Sequence, residues 1–178
     1  RRFFGRTFGG GNSGFLALMP ASRTLHLFTG FLRDKITLSE DRWWLIPGVH
    51  LEHNDFTGFE VEPNGRVMWN MSPNQSVWGA VSRAVRTPAR TEQDMRLDAV
   101  VLPPSPASGG LPVRVSVHGD RDFESEDLVA YESGYRVNLG GALSVDVAAF
   151  YNSYTDLLSA EPIEPSLDFS RQPIHIVA

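Results

Sequence analysis

Four arginines, Arg83, Arg86, Arg90 and Arg96, crowd one short stretch of a chain whose net charge is −5. A guanidinium is planar and always charged, so such a cluster can present paired donors to a carboxylate or phosphate. Arg86, Arg90 and Arg96 are the candidate ligand-binding residues on that ground, and an anionic chelate is the ligand they would suit. The competing role for the same side chains is ion pairing, because charge on a protein surface is common. "HLEHND" (residues 50–55) offers metal-ligating types. On a strand, however, His50 and Glu52 share one face while His53 points away, and the spacing is not that of a helical H-E-x-x-H site. No metal site is expected there. "HGDRD" (residues 118–122) lacks the spacing of a calcium loop and reads as a solvated turn. "GGGNSG" (residues 9–14) fits G-x-G-x-x-G formally, but no βαβ unit surrounds it, so it reads as a flexible loop. With no G-x-S-x-G and no Ser/His/Asp arrangement, no catalytic residue, no cofactor and no enzyme is expected.

Composition narrows the class further. The 178 residues contain no cysteine, which removes both a disulfide framework and a thiolate metal site. The acidic balance argues against a nucleic-acid partner, since phosphate binding needs a dense basic face. No apolar run approaches the roughly 18 residues of a spanning helix, which leaves open a barrel, whose strands need only about 9–11 alternating residues. The opening "RRFFGRTFGGG" has neither an initiator Met nor the order of a signal peptide, so the chain is expected to be cut from something longer.

The elements that must position these residues are strands. Alternating stretches at residues 24–38, 43–54, 59–70, 76–86, 128–137 and 143–154 predict three hairpins in tandem, closed by turns at residues 39–42, 71–75 and 138–142. "SEDLVAYE" is the nearest approach to a short helix. "NDFTG" closes the other end of one strand pair, but residues 87–127 make a connection of about forty residues, far beyond the usual loop. That stretch contains "LPPSPASGGLP" and reads as irregular. The short turns therefore share one end of the sheet and the long loop lies at the other, as in a bacterial barrel with short periplasmic turns and long extracellular loops.

Each strand has one apolar face. Leu45, Val49 and Leu51 oppose His50 and Glu52; Val61 and Val67 oppose Glu60, Glu62 and Arg66; Tyr131 and Tyr135 oppose Glu132 and Arg136; Val145 and Val147 oppose Asp146. The stretch at 76–86 is mixed and its parity stays open. In a sandwich the apolar face is inside, whereas in a membrane barrel it meets lipid. Trp43, Trp44, Trp69 and Trp78 all lie near the short turns, and Phe56, Phe59 and Tyr154 cluster at the opposite ends. Two aromatic bands with aliphatic residues between them match interfacial girdles, so the apolar face is expected to look outward.

With strands and loops placed, "LEHNDFTGFEVEPNGRVMW", "VWGAVSRAVRTPAR" and "FESEDLVAYESGYRVNLGGALSVDVAAFYNSYTDL" resemble the barrel of TonB-dependent outer-membrane receptors. In that family a strand ending in Ser, a basic residue and R-x-P leads into a long extracellular loop, here Ser82, Arg83, Arg86, Thr87 and Pro88. The returning strand carries E-x-x-x-Y-E-x-G-x-R, here Glu126 or Asp127, then Tyr131, Glu132, Gly134 and Arg136. The resemblance implies an all-β, antiparallel, up-and-down transmembrane barrel segment of about six strands, against about 22 in a whole plugged transporter. It implies strands over about 24–86 and 128–154, with an extracellular loop over about 87–127. The implied setting is the outer membrane of a Gram-negative bacterium, and the implied work is active uptake of an iron–siderophore complex, cobalamin or another scarce nutrient. The implied partners are a metal chelate or similar small ligand, outer-membrane lipid and lipopolysaccharide, and TonB only through a plug domain absent from these residues. A soluble β-sandwich binding module and a passive porin are the alternatives. The ligand itself is not written in these words.

Overall fold

The computed structural model describes residues 2–4, 15–140, 143–169 and 175–177. "GGGNSG" falls outside the described residues, as do Gly141 and Ala142 of the third short turn. In chain order the first strands are β1 (Arg2–Phe4), β2 (Phe15–Leu18), β3 (Ser22–Thr24), β4 (Leu27–Arg33) and β5 (Ile36–Ser39). Three long strands follow, β6 (Trp43–Asn54), β7 (Gly58–Ser72) and β8 (Gln75–Arg86). Helix α1 (Arg90–Asp94) precedes β9 (Met95–Leu102) and β10 (Val113–His118), and β11 (Glu126–Asn138), β12 (Ser144–Thr155), β13 (Ser166–Asp168) and β14 (His175–Val177) complete the series.

The chain divides into two units. One comprises residues 26–87 and 124–157 and is a single antiparallel sheet in the order β12-β11-β8-β7-β6-β4, with β5 also on β6. Sequential neighbours pair throughout, which is the up-and-down topology the hairpin pattern predicts. The turns carry the residues that tight reversal needs. Asn54 Oδ1 accepts from the backbone N–H of Phe56 at 2.8 Å and of Thr57 at 2.9 Å, and Gly58 leaves the turn at φ +79°. A short polar side chain thereby mimics a backbone turn, and only a residue without Cβ adopts the left-handed exit freely.

Two expectations about these strands need correction. The stretch at 24–38 is not one strand: Thr24 ends β3, and β4 and β5 separate at Asp34 and Lys35. Their registers on β6 agree, Arg33 with Gly48 and Ile36 with Leu45, so Asp34 lies opposite Pro47. Asp34 N–H donates to the Pro47 carbonyl at 3.1 Å, but proline has no N–H to return, and the ladder is interrupted there. "SEDLVAYE" forms no helix either, because its alternation belongs to β11.

Register settles the faces, since directly paired residues on neighbouring strands point the same way. Leu45 pairs with Val67, Leu51 with Val61 and Gly65 with Val81; Val81 continues to Tyr131 and Tyr131 to Tyr151. The parity of β8 is thus resolved, with Val77, Gly79 and Val81 on the apolar face. On the other face His50 pairs with Glu62, Arg66 with Ala80, Ala80 with Glu132 and Arg136 with Asp146. The apolar face is bare: Val81 is 45% exposed, Val147 58% and Tyr151 67%. Among the described residues only Ala17 and Val137 are buried hydrophobics.

The girdle expectation holds for half of its tryptophans. Trp43 and Trp69 stack on the apolar face with ring centroids 5.0 Å apart. Trp44 and Trp78 lie on the polar face, in register with Met68 between them, because each falls at the even position of its strand. Proximity to a turn fixes height along a strand; parity fixes the face.

The second unit comprises residues 1–25, 88–123 and 158–178. Its strands run in the order β13-β14-β10-β9-β2, with β1 and β3 as a separate pair. The 87–127 connection is therefore not irregular as its Pro and Gly content suggests. β9 and β10 form a hairpin, and "SPASGG" at its tip is a 3-10 turn in which Ser105 and Ser108 cap each other's backbone and Gly109 adopts φ +62°. Its interior is polar: Arg90, Gln93, Asp94, Asp98 and Arg114 are all buried.

Candidate functional site

Charged groups line the polar face of the first unit rung by rung. His50 Nδ1 and Glu62 Oε1 lie 3.0 Å apart, and Arg136 Nε donates to Asp146 Oδ2 at 2.9 Å. Arg66 spreads its guanidinium over the Trp78 ring, 4.8 Å from the centroid, and its Nη2 lies 4.0 Å from Glu132 Oε2. Trp78 has room for this because Gly134 lies opposite it. A Cβ on Gly134 would stand 2.3 Å from the indole Nε1. The glycine of the E-x-x-x-Y-E-x-G-x-R word is thus a seat for an aromatic ring, over which an arginine lies.

At the far end of the same sheet the β7–β8 ladder stops at Asn64 and Ser82, while β8 continues on β11 alone. Arg83 bridges the gap. Its Nη1 donates to the Val61 carbonyl at 2.6 Å, its Nη2 donates to Asp127 Oδ2 at 2.8 Å, and Glu60 lies 3.8 Å away. Ser125 adds its hydroxyl to Glu60 at 2.6 Å. The arginine thereby satisfies one β7 carbonyl, that of Val61, beyond the point where the ladder stops. Three residues further along, Arg86 meets Glu126 through two parallel bonds of 2.8 Å each, the fork geometry that carboxylates favour.

The three candidate arginines are divided between the two units. Arg86 belongs to the first unit, whereas Arg90 and Arg96 belong to the second. Arg90 is buried, donates to Asp94 Oδ2 at 3.2 Å and also reaches the Pro20 carbonyl. Asp94, itself buried, receives Arg23 at 3.4 Å and lies 3.6 Å from Arg121 as well, so three guanidiniums converge on one carboxylate. Arg96 lies 3.5 Å from Asp98, which also accepts the Ser116 hydroxyl at 2.7 Å and has the buried Arg114 at 3.8 Å. Burial pushes the Asp98 carboxyl up, but the Ser116 hydrogen bond and then Arg114 and Arg96 outweigh it and hold it below its ordinary range.

The metal-type residues of "HLEHND" diverge as parity requires: His50 engages Glu62, while His53 packs edge-on against Phe59 with centroids 5.6 Å apart. Among the described residues no cluster of metal-ligating side chains forms. The sequence assigns no site role to Arg33, Glu60, Trp78, Ser125 or Gly134. Only Gly134 had a signal, its fixed place in a recognised word, and no spacing rule links Glu60 to Ser125 across the chain.

Known proteins carry the same architecture. A family model described as TonB dependent receptor-like, beta-barrel matches residues 3–173. The iron-regulated outer membrane virulence protein of Vibrio cholerae serotype O1 is 26% identical over 132 residues, 74% of this chain and 18% of its own length. This chain thus spans about a fifth of the curated relatives it matches. The siderophore receptor PirA from Pseudomonas aeruginosa shares the fold with a TM-score of 0.60 at 17% identity, over 88% of this chain and 29% of that one. A variant of the ferric enterobactin receptor PfeA from the same organism gives 0.65 at 14% identity, over 92% and 26%.

Proposed function

Because the chain belongs to the TonB dependent receptor-like β-barrel family, we propose that it forms part of the wall of a receptor for active uptake of a scarce nutrient. It is a segment of an outer-membrane barrel, and the family is one of receptors rather than an enzyme class. The observation that carries the proposal is the division of the sheet into a bare apolar face and an ion-paired polar face. In a barrel the first meets lipid and the second lines the interior. A soluble sandwich would cover its valines and tyrosines, and here they are exposed.

The nutrient in this reading is an iron chelate of the siderophore class, with cobalamin as the alternative cargo. The support is the names borne by the V. cholerae relative and by the receptors PirA and PfeA. Residues 88–123, with their own folded hairpin, are proposed as the extracellular part that first meets the cargo, since binding groups concentrate on loops held by a rigid scaffold. Energy enters through TonB and a plug domain contributed by other residues of the intact receptor. No covalent step is assigned to this chain. The test is uptake of a radiolabelled ferric siderophore panel and of labelled cobalamin by cells with and without the intact receptor. Loss of one substrate on deletion, restored by complementation, is the expected result; unchanged uptake of all of them, with iron- and cobalamin-limited growth intact, would refute it.

A further inference from the structure

A recess of about 370 Å³ opens on the polar face of the first unit, between large charged side chains and small residues such as Ala80 and Ser82. Its charges do not cancel. Arg33, Arg66 and Arg83 line it, against Glu62 and Glu132. Arg83 is engaged by Asp127 and the Val61 carbonyl, and Glu62 by His50. What remains is Arg66, held loosely by Glu132 at 4.0 Å, and Arg33, whose side chain makes no hydrogen bond or ion pair among the described residues. Arg66 lies over the Trp78 ring, a contact that limits the freedom its donors lose on meeting an acceptor. Arg33 reaches the same recess from β4, opposite Gly48, which has no side chain of its own and is covered by the Asn64 amide, another residue of the lining.

We propose that this recess is a carboxylate-binding subsite, with Arg33 and Arg66 as its two cations and Ser82 as a neutral donor at its edge. Two planar guanidiniums approaching from different strands suit a carboxylate that is gripped on both oxygens. The carboxylate is either that of a small molecule inside the barrel or an acidic side chain of the intact receptor. The inference rests on the barrel reading only in that this face lines the interior, and it does not depend on which nutrient is taken up.

The experiment uses the intact receptor purified in detergent, with succinate titrated calorimetrically and glycerol as the neutral control. Saturable succinate binding, weakened tenfold or more by Arg33→Gln and by Arg66→Gln but not by Arg136→Gln, assigns a free carboxylate. If succinate does not bind, thermal midpoints decide. Arg33→Gln and Arg66→Gln should then each lower the midpoint, Arg33→Lys should lower it less, and the double variant should fall short of the sum. That pattern assigns a carboxylate of the receptor itself. Succinate binding that ignores both substitutions, or absent binding with midpoints unchanged or strictly additive, overturns the subsite. Nutrient uptake is a separate readout, so failure of the receptor proposal and failure of the subsite can be told apart.

Discussion

Arginine pairing is the main theme at the residue scale. Arg86 and Arg90 each sit against a carboxylate, so their contribution to a ligand is expected to run through the shape of the segment they hold. In the intact receptor, replacing both with Ala should reduce uptake without changing its dependence on salt. A flattened salt dependence would instead assign direct contact with an anion, because long-range attraction is screened and contact geometry is not. Gly134→Ala should destabilise the barrel by about 1–3 kcal/mol, since the added methyl overlaps the Trp78 indole. Adding Trp78→Ala should recover part of that loss, and urea unfolding in lipid vesicles reads both. Asp98 gives the chain a sensitivity to acid. Its carboxyl is held below the ordinary 3.8, so the stabilisation is complete above that value and fades as pH falls through the lowered one. Protection against hydrogen exchange over Met95–His118, taken relative to the intrinsic rate at each pH, should therefore fall at low pH, and Asp98→Asn should remove the pH step. The candidate arginines were legible as a charge cluster, but not their partners: Asp94 and Asp98 are near in sequence, whereas Glu126 comes opposite Arg86 only through register.

Elements follow from alternation, and alternation was legible wherever one face was kept apolar. The strands from Trp43 to Arg86 and from Glu126 to Thr155 were readable for that reason. The faces of β8 were not assignable because Trp78 and Arg83 interrupt its pattern, and its neighbours decide its parity. The β9–β10 hairpin was missed although "VRVSVH" alternates cleanly, because the Pro- and Gly-rich tip resembles disorder and the polar half of the pattern is the buried half. Here Arg114 is only 2% exposed while Val117 is 45%. The face assignment predicts opposite outcomes at adjacent positions. Val81→Lys should cost about 2–4 kcal/mol if it lies near the bilayer midplane, and Ala80→Lys, one residue away on the polar face, should cost much less. Equal costs, measured by denaturation in vesicles, would mean that the faces are reversed or equally covered.

At the scale of the whole molecule, the hydrophobic effect is spent on the surroundings rather than on an interior. Two edges of the sheet, β4 with β5 and β12, have no further strand among the described residues. Unpaired edges and an uncovered apolar face promote association in water. Residues 1–178 produced alone should therefore aggregate or require detergent. A monodisperse chain that melts cooperatively in plain buffer would contradict the lipid-facing assignment. The sequence showed that the faces differ, and its aromatic bands pointed the apolar one outward; the register adds that Val61, Val81 and Tyr131 lie on one side together.

The closed rung between Arg86 and Glu126 has an evolutionary consequence. These residues are Cα partners on neighbouring strands, so the intervening chain leaves and re-enters the sheet at hairpin separation, about 5 Å. Whatever is spliced between them need only begin and end at that gap, and a bidentate ion pair closes it regardless of content. Such a junction tolerates recombination: the inserted segment can drift, lengthen or be exchanged wholesale under pressure from the environment, while selection on the membrane-spanning rungs stays undisturbed.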